Sequence, residues 1–380
     1  MTEAETATAD RAEQARRYAR RKRRLWLIEL VGTLLVCGVL QRSGWSAAVA
    51  AWAAATCAHR WGSLALYGGA IGAVLYLAGW PLEWYGGFLL EHRFGLSNQT
   101  FPQWLWRETK QLALAAPLGL LFFEGLYFFI DHAPSTWWLW LAVAWWIVSV
   151  LLARILPTVI IPLFYKCVPL EDAALRQTLV ELSTRVRVPI MNAFRIDLSR
   201  DTKKANAAVV GWGGTRRVLV ADTLLDHFTP EEITSVVAHE LGHHRLHHIP
   251  AHLVASLFST GFGFWALHQC ARWWLPGGLA DVAGFPTLLV LITLLNTLLL
   301  PLHNGLSRLM ERQADAFALD VTQAPQPFIA TMRKLAAQNL AELSPPRWVE
   351  WLFYSHPAIA RRIQMGESFP ARKEVASHVG

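Results

Sequence analysis

His239, Glu240 and His243 form an HExxH motif inside a short run that is rich in histidine. On an α-helix, residues four positions apart project from the same face, so both imidazoles can bind one zinc ion. Glu240 is turned about 100° around the helix axis and can reach a zinc-bound water without ligating the metal. Zinc lowers the pKa of such a water towards about 7, and a carboxylate can then accept its proton. The motif therefore predicts metal-dependent hydrolysis.

The residues before the motif favour a helix, with Thr229 as the N-cap, Pro230 in the first turn and Glu231 near the positive end of the dipole. Further histidines follow the motif and form additional i, i+4 pairs: His244, His247 and His248. No glutamate directly follows the first member of either extra pair. We interpret these histidines as a polar helix end near the membrane surface. A hydrogen-bonding or accessory metal role is the alternative.

A catalytic zinc ion usually has three protein ligands and one open position. The segment 304–320 contains Glu311 and Asp315, which share one helical face. Glu311 is the predicted third ligand, and Asp315 would hold the free ring nitrogen of a ligand histidine. A solvated charged helix is the alternative, but the neighbouring Ala314 and Phe317 indicate a helix that packs closely. Its position directly after an apolar run allows it to fold back beside the HExxH helix.

The elements that must position these residues lie in a strongly apolar chain. Of its 380 residues, 53% are hydrophobic and 17% are charged, whereas about 25% are charged in a typical soluble protein. An apolar helix of about 20 residues crosses a bilayer core of about 30 Å. We predict a polytopic membrane protein with six spans, at about residues 25–40, 63–90, 112–130, 137–163, 253–270 and 286–302. Residues 45–58 are a short span, a re-entrant segment or an interfacial helix.

Eight arginine and lysine residues precede the first span, within residues 1–24. Their position favours contact with anionic lipid on the cytoplasmic side over binding of nucleic acid. With six spans, the polar segments on either side of the last two spans are then also cytoplasmic. We predict an integral protein of the bacterial cytoplasmic membrane with its active site on the cytoplasmic side. The four widely separated cysteines suggest neither a disulfide framework nor a cysteine zinc site.

We divide the chain into five parts. They are a basic arm (1–24), a first group of membrane helices with a loop at 91–108 (25–165), a zinc metalloprotease segment with HExxH (166–250), the last two spans (251–303) and a C-terminal part with the third ligand (304–380).

Several motifs together resemble the integral-membrane zinc metallopeptidases that include the type I CAAX prenyl proteases. The HExxH motif combined with Ser307-Arg308-x-x-Glu311-x-x-Ala314-Asp315 carries the resemblance. Other stretches agree in order: EHRFGLSNQT (91–100), PLFYKCVPLED (162–172), NAAVVG (206–211), RRVLVADTLL (216–225) and SHPAIARRI (355–363). The resemblance covers residues 91–363 and does not depend on any single motif.

The resemblance implies a mainly α fold, in which a polytopic barrel of membrane helices encloses a water-filled chamber. A zincin-like metalloprotease domain with a small β element would cap the barrel. The implied cofactor is one Zn²⁺ ion per chain. Its implied ligands are His239, His243 and Glu311, with Glu240 as the general base and Asp315 behind a ligand histidine.

Further roles come from the same resemblance. His356 and Arg362 would stabilise the tetrahedral oxyanion or organise the site. Asn206 and the strand after it, including Ala207 and Val209, would hold the substrate backbone by edge pairing. Edge pairing suits a protease because main-chain hydrogen bonds bind extended peptides with little sequence preference.

The chain departs from the family pattern in three places. Lys203-Lys204-Ala205 stands where His and Ser are usual, so we expect different substrate contacts there. Relatives often have seven spans, whereas six are clear here. Residues before about Ser63 do not align with the family.

The most consistent interpretation is a membrane-embedded zinc metalloendopeptidase that acts on peptides or proteins in or near the membrane, with prenylated CAAX-type peptides as the family substrate. Membrane-protein quality control without a prenyl requirement is an alternative. A non-enzymatic zinc-containing transporter would explain the spans but not a glutamate that has no ligand role. A soluble-type protease that is merely anchored by helices is a further alternative. Expected partners are a peptide or protein substrate, with or without a lipid group, and membrane lipid, but no nucleic acid; the sequence indicates no particular oligomeric state.

Overall fold

The computed structural model describes residues 3–275 and 277–370. The longer helices are α1 (Glu3–Arg42), α2 (Trp45–Thr56), α3 (Arg60–Glu83), α5 (Phe101–His132), α6 (Trp137–Ile155), α8 (Ala173–Arg185), α10 (Pro230–Arg245), α11 (His248–Trp274), α12 (Phe285–Thr322) and α13 (Pro325–Asn339). Shorter helices are α4 (Leu90–Arg93), α7 (Ile161–Phe164), α9 (Asp222–Leu225), α14 (Arg347–Phe353) and α15 (Ile359–Glu367). The strands are β1 (Cys167–Pro169), β2 (Asn192–Ile196), β3 (Ala207–Val210) and β4 (Arg217–Ala221).

The long apolar helices form a closed ring. Helix α1 packs on α3, α3 on α5, α5 on α6, α6 on α11, α11 on α12, and α12 returns to α1. The short helix α2 packs on α1 and α3 and is tied to the turn before α12, because Ser46 Oγ donates to the Ala283 carbonyl over 2.7 Å. That turn lies about 39 Å from Glu311 along α12, at about 1.5 Å per residue. Helix α2 therefore covers the end of the ring that is remote from the predicted metal ligands.

Five of the six predicted spans coincide with helices that are long and apolar enough to cross a membrane. These helical segments are Asp10–Arg42, Arg60–Arg93, Phe101–His132, Trp137–Phe164 and Val282–Thr322. The predicted span at 253–270 lies in α11, which has 27 residues but is not among these five. It nevertheless occupies a place in the ring between α6 and α12. Helix α2, with 12 residues, is about 18 Å long and too short for a straight span.

A small mixed sheet lies beside the ring, with the strand order β1-β2-β4-β3. Strands β2 and β4 are parallel, whereas β1 pairs with β2 and β3 pairs with β4 in the antiparallel sense. The sheet shares a buried apolar core with α8 and α10, which includes Leu179, Val218, Val237 and Leu241. Strand β3 is at one edge of the sheet. The predicted strand pair before the HExxH helix is thus confirmed, as is the mainly α fold with a small β element.

The expectation that segment 304–320 folds back after the last span is wrong. That segment and the span form one continuous helix, α12, and no turn separates them. The HExxH helix α10 packs directly across α12 instead. The C-terminal half of the last membrane helix therefore forms part of the predicted metal site.

Candidate active site

The sequence of α10 explains why this helix starts at Pro230. Thr229 and Glu232 form a capping box, in which Thr229 Oγ1 accepts from the Glu232 amide over 3.3 Å. The Glu232 carboxylate accepts in turn from the Thr229 amide over 2.8 Å, so two of the unpaired amides at the helix start are satisfied. Further along α10, the side chains of Val237, Ala238 and Leu241 are fully buried in the core. That burial turns the HExxH face towards α12.

Helices α10 and α12 are in close contact at Gly242, the fourth residue of the motif. A Cβ atom at this position would lie 3.3 Å from the Cα atom of Ala314 and 3.0 Å from the ring of Phe317. These contacts leave little room for a side chain. The absence of a side chain at Gly242 therefore allows the two helices to bring their ligand residues together.

The three predicted ligand side chains converge. One potential ligand atom from each of His239, His243 and Glu311 lies within 4.8 Å of the other two. The two Nε2 atoms are 3.2 Å apart, and the Glu311 carboxylate lies 3.2 Å from His239 Nε2 and 3.4 Å from His243 Nε2. Residues from two helices that are about 70 positions apart in the chain thus share one small volume.

The donor set fits a divalent metal ion. Glu311 Oε2 is buried and accepts no hydrogen bond from the described residues. It faces two imidazole nitrogens, and buried polar atoms normally have a partner. Two imidazoles and one carboxylate, with space for a fourth ligand, are typical of a catalytic zinc site. His239, His243 and Glu311 are therefore suited to hold the ion.

Asp315 lies directly behind His239. Its Oδ1 atom is 2.9 Å from His239 Nδ1, and the side chain is completely buried. Burial disfavours the charged form of His239, but the neighbouring carboxylates of Asp315 and Glu311 outweigh this effect and raise the pKa of His239 to about 9. The same carboxylate orients the ring so that Nε2 points towards Glu311.

Arg362 binds Asp315 on the side that faces away from His239. Its Nε and Nη2 atoms donate to the two carboxylate oxygens over 2.7 and 2.6 Å. This fork is buried, with 9% of the Arg362 side chain exposed. Of the two roles that the resemblance implies for Arg362, the geometry favours organising the site over direct contact with an oxyanion.

Glu240 and His356 flank the ligand cluster. Burial raises the pKa of Glu240 above its usual range, although the nearby His239 and His243 lower it. Within the described residues, Glu240 takes part in no hydrogen bond or ion pair, so its carboxylate is available. His356 Nε2 lies 3.4 Å from Glu311 Oε1, and 58% of its side chain is exposed. Both groups are therefore placed to meet a substrate at the cluster.

The predicted substrate residues lie at the free edge of the sheet. The Asn206 carbonyl accepts from the Ala221 amide over 3.0 Å, so the main chain of Asn206 faces β4. Because hydrogen-bonding direction alternates along an antiparallel strand, the main-chain groups of Ala207 and Val209 point away from β4. The structure thus places these two residues where edge pairing requires them.

Side chains from two helices close the ends of this edge. Asn339 bonds both main-chain groups of Ala205, with distances of 2.9 Å to the amide and 3.1 Å to the carbonyl. His244 Nε2 lies 3.0 Å from the Val209 carbonyl. Burial lowers the pKa of His244, which favours the neutral ring. The part of the edge between these two contacts is centred on Ala207.

The unusual Lys203-Lys204 pair has a structural explanation. Lys204 Nζ lies 2.8 Å from the Glu91 carboxylate, to which the Tyr18 hydroxyl also donates. Asn98 in the following loop bonds the segment before β3, with its amide 3.1 Å from the Asp201 carbonyl. Lys204 therefore joins α1, α4 and the approach to the edge strand, and its ammonium group is held by Glu91 and Tyr18.

For His244 and His248 the structure favours the hydrogen-bonding alternative over a polar helix end near the membrane surface. His244 bonds the edge strand, and His248 Nδ1 lies 3.0 Å from His243 Nδ1. The i, i+4 spacing does not predict the contact between His248 and His243. His248 belongs to the next helix and meets His243 only because the chain turns at His247. Asn339 is likewise distant in sequence from the strand that it contacts.

One helix carries two paired histidines and crosses a membrane helix that carries a buried glutamate. This arrangement is typical of an integral-membrane metallopeptidase. Comparisons with known proteins support this class and extend it. Residues 169–368 match the model of peptidase family M48. Residues 3–166 match the model described as CAAX prenyl protease N-terminal, five membrane helices, so the expectation that residues before about Ser63 do not align with the family is wrong. The chain belongs to peptidase family M48 and, within it, to the CAAX prenyl protease group of membrane metalloproteases.

Individual relatives are consistent with this family assignment. CAAX prenyl protease 1 of Saccharomyces cerevisiae is 30% identical over 78% of this chain and 70% of its own length. The uncharacterized metalloprotease YhfN of Bacillus subtilis is 27% identical over 93% of this chain and 84% of its own length. The crystal structure of S. mikatae Ste24p superposes with a TM-score of 0.83 at 26% identity, covering 94% of this chain and 89% of that one. The predicted resemblance and the membrane-barrel fold class are confirmed.

Proposed function

We propose that this protein is a zinc-dependent endopeptidase whose site consists of His239, His243, Glu311 and Glu240. The observation that carries the proposal is the convergence of one potential ligand atom from each of the first three residues within 4.8 Å, next to a glutamate that pairs with none of the described residues. A site that held zinc only for stability would not need that glutamate. The metal ligands and the base come from the same turn of α10 and its contact with α12, as hydrolysis at one metal site requires.

The chain's own residues account for each step that follows substrate binding. A bound zinc ion would polarise the scissile carbonyl and acidify a water molecule. Glu240 accepts the proton of the attacking water and delivers it to the leaving amine. His356 donates a hydrogen bond to the carbonyl oxygen as negative charge develops there. Asp315 and Arg362 act behind His239 and keep its ring in the productive orientation.

The substrates are peptides or proteins that reach the site at the membrane. Glu311 belongs to the same helix as the last membrane span, so a substrate anchored in lipid can present a nearby peptide bond. Edge pairing at Ala207 and Val209 would hold that segment extended, whereas the main chain of Asn206 is paired with β4, so the predicted edge role of Asn206 is left to its side chain. Prenylated CAAX-type peptides are the first candidates, because several relatives are named CAAX prenyl protease 1.

A digest of paired substrates by the purified protein in detergent tests this proposal. One peptide carries a prenylated cysteine near its C-terminus, and its matched control carries the same sequence without the lipid. We expect cleavage of the prenylated peptide that stops when a chelator removes the metal and returns when zinc is added. No metal-dependent cleavage of any peptide by the full-length protein would contradict the proposed activity.

Equal cleavage of the two peptides would instead support the second candidate, a quality-control protease without a prenyl requirement. The open edge of β3 favours this candidate, since main-chain pairing recognises extended segments of many sequences. A membrane protein with an unfolded cytoplasmic segment would then be cleaved at several positions within that segment.

We further propose that the active site faces the cytoplasm of a bacterial cell, at the inner membrane. The basic N-terminal helix and the protease segments lie on the same side. Arg11 donates to the Ala337 carbonyl over 3.0 Å, and Arg23 pairs with Glu342 over 2.9 Å. Basic segments next to membrane helices remain cytoplasmic. The five-part division of the chain, with the protease function shared by 166–250 and 304–380, belongs to this proposal.

Replacement of His244 tests the edge strand. His244→Leu removes the hydrogen bond that holds the Val209 carbonyl at the end of the edge strand. We expect the less ordered edge to raise KM for a long peptide about 2- to 10-fold, the value of one hydrogen bond. We expect kcat to change much less, because the His244 ring bonds the edge strand and not the ligand cluster. The exposed neighbour provides a matched control, and His247→Asn should leave both constants unchanged. A loss confined to kcat would contradict a role in substrate binding.

A further inference from the structure

The second ligand histidine has a buried partner of its own. His248 is 3% exposed, and its Nδ1 atom lies 3.0 Å from His243 Nδ1. On the other side of the ring, His248 Nε2 lies 3.0 Å from Gln313 Oε1. The three side chains form a continuous chain that ends at the proposed metal ligand His243.

The fold brings these residues together by a sharp change of direction. Helix α10 ends at Arg245, and His247 adopts a left-handed backbone conformation with φ of 59°. His248 is the first residue of α11 and is therefore turned back towards His243. Gln313 lies two positions after Glu311 on α12, so the chain of contacts joins the three helices around the cluster.

The hydrogen-bond chemistry allows one consistent arrangement of protons. His243 Nε2 faces the cluster, 3.4 Å from Glu311 and 3.2 Å from His239, so it must present a lone pair to ligate a metal. The neutral ring then carries its proton on Nδ1 and needs an acceptor there. His248 Nδ1 can accept only if the His248 proton is on Nε2. That proton in turn needs the oxygen of Gln313.

We propose that His248 and Gln313 are positioning residues that fix the tautomer and the ring plane of His243. This inference rests on the proposed role of His243 as a metal ligand. His239 is held by the carboxylate of Asp315, whereas His243 is held by a neutral relay, so the two ligands are oriented by different chemistry. Residues that orient metal-bound histidines through the free ring nitrogen strengthen metal binding.

Metal affinity measured by competition with a zinc-chelating dye tests the proposal without any need for catalysis. His248→Leu keeps the apolar bulk but removes the acceptor, and we expect zinc to bind about 10- to 100-fold more weakly. His248→Asn keeps an oxygen near the position of Nδ1, and we expect its affinity to stay close to that of the unmodified protein. Gln313→Leu should fall between these two variants.

Two control variants distinguish an error in the proposed metal site from an error in the proposed positioning role. His247→Asn replaces an exposed histidine by a residue that tolerates the left-handed backbone, and its zinc affinity should not change. If His243→Ala binds zinc as tightly as the unmodified protein, the proposed metal site itself is wrong. If His243→Ala weakens binding but His248→Leu stays within two-fold of the unmodified protein, only the positioning role is overturned.

A merely structural role for His248 predicts a different pattern. In that case, His248→Leu and His248→Asn would lower the unfolding temperature of the metal-free protein together, and their zinc affinities would not diverge. That outcome would also overturn the proposal. Because Gln313 is exposed, Gln313→Leu should fold even if a substitution at the buried His248 does not, and it tests the same relay.

Discussion

Glu240→Gln is expected to retain its metal and to lose peptide cleavage by about 100- to 10,000-fold, the range that a general base contributes. The amide has nearly the same shape as the carboxylate but cannot accept the proton of the attacking water. Since no described residue pairs with Glu240, the substitution breaks no contact, and we expect normal folding. Initial cleavage rates, together with zinc content per protein molecule, measure both parts of the prediction.

Glu231→Gln is the matched control, because Glu231 lies in the exposed first turn of the same helix. It makes the same chemical change on the same helix and should leave cleavage unchanged. Unchanged cleavage by Glu240→Gln would rule out the proposed base. Loss of zinc from this variant would instead mean that Glu240 is itself a ligand.

The transporter alternative is no longer favoured, because the chain belongs to a peptidase family.

Arg362→Met should have the largest effect on stability. The substitution removes the guanidinium from the fully buried Asp315 carboxylate and leaves His239 as its remaining partner, and breaking a buried pair costs about 3–5 kcal/mol. Arg362→Lys keeps the charge but not the two-pronged geometry, so we expect a smaller loss. Thermal or denaturant unfolding of the metal-free proteins in detergent measures the difference.

Arg333→Met is the appropriate control because Arg333 forms an exposed pair with Glu367 at 3.7 Å, with 66% and 56% of the two side chains exposed. Exposed pairs contribute about 0–1 kcal/mol. A double-mutant cycle of Arg362→Met with Asp315→Asn should show strong coupling between the two residues. Lost cleavage with unchanged stability in Arg362→Met would instead favour direct contact with the oxyanion.

Local sequence patterns were sufficient to predict much of this site. The HExxH spacing and the Thr229 cap predicted the helix that carries His239 and His243, because helix periodicity and capping depend on nearby residues. The spacing of Glu311 and Asp315 predicted a shared helical face in the same way. The apolar runs predicted the membrane spans, although α11 is less apolar than the other helices of the ring and α2 is too short to span.

Long-range contacts could not be predicted from spacing. Arg362 faces Asp315 only because α15 packs against α12, and that contact favours an organising role. The open edge of β3 is limited by His244 and Asn339, which come from different helices. Lys204 was expected to change substrate contacts, whereas the structure pairs it with Glu91.

The sequence by itself was enough to predict the membrane setting and the chemistry that we propose for this protein: a metal-binding helix, a glutamate base and a third ligand. Each of these follows from the residue types and from the period of a single helix. Only the tertiary structure decided which side chains orient the ligands and where the substrate edge is open. His248 illustrates the physical reason, because its partner His243 is reached through a chain reversal at His247, and no helical period extends across such a turn.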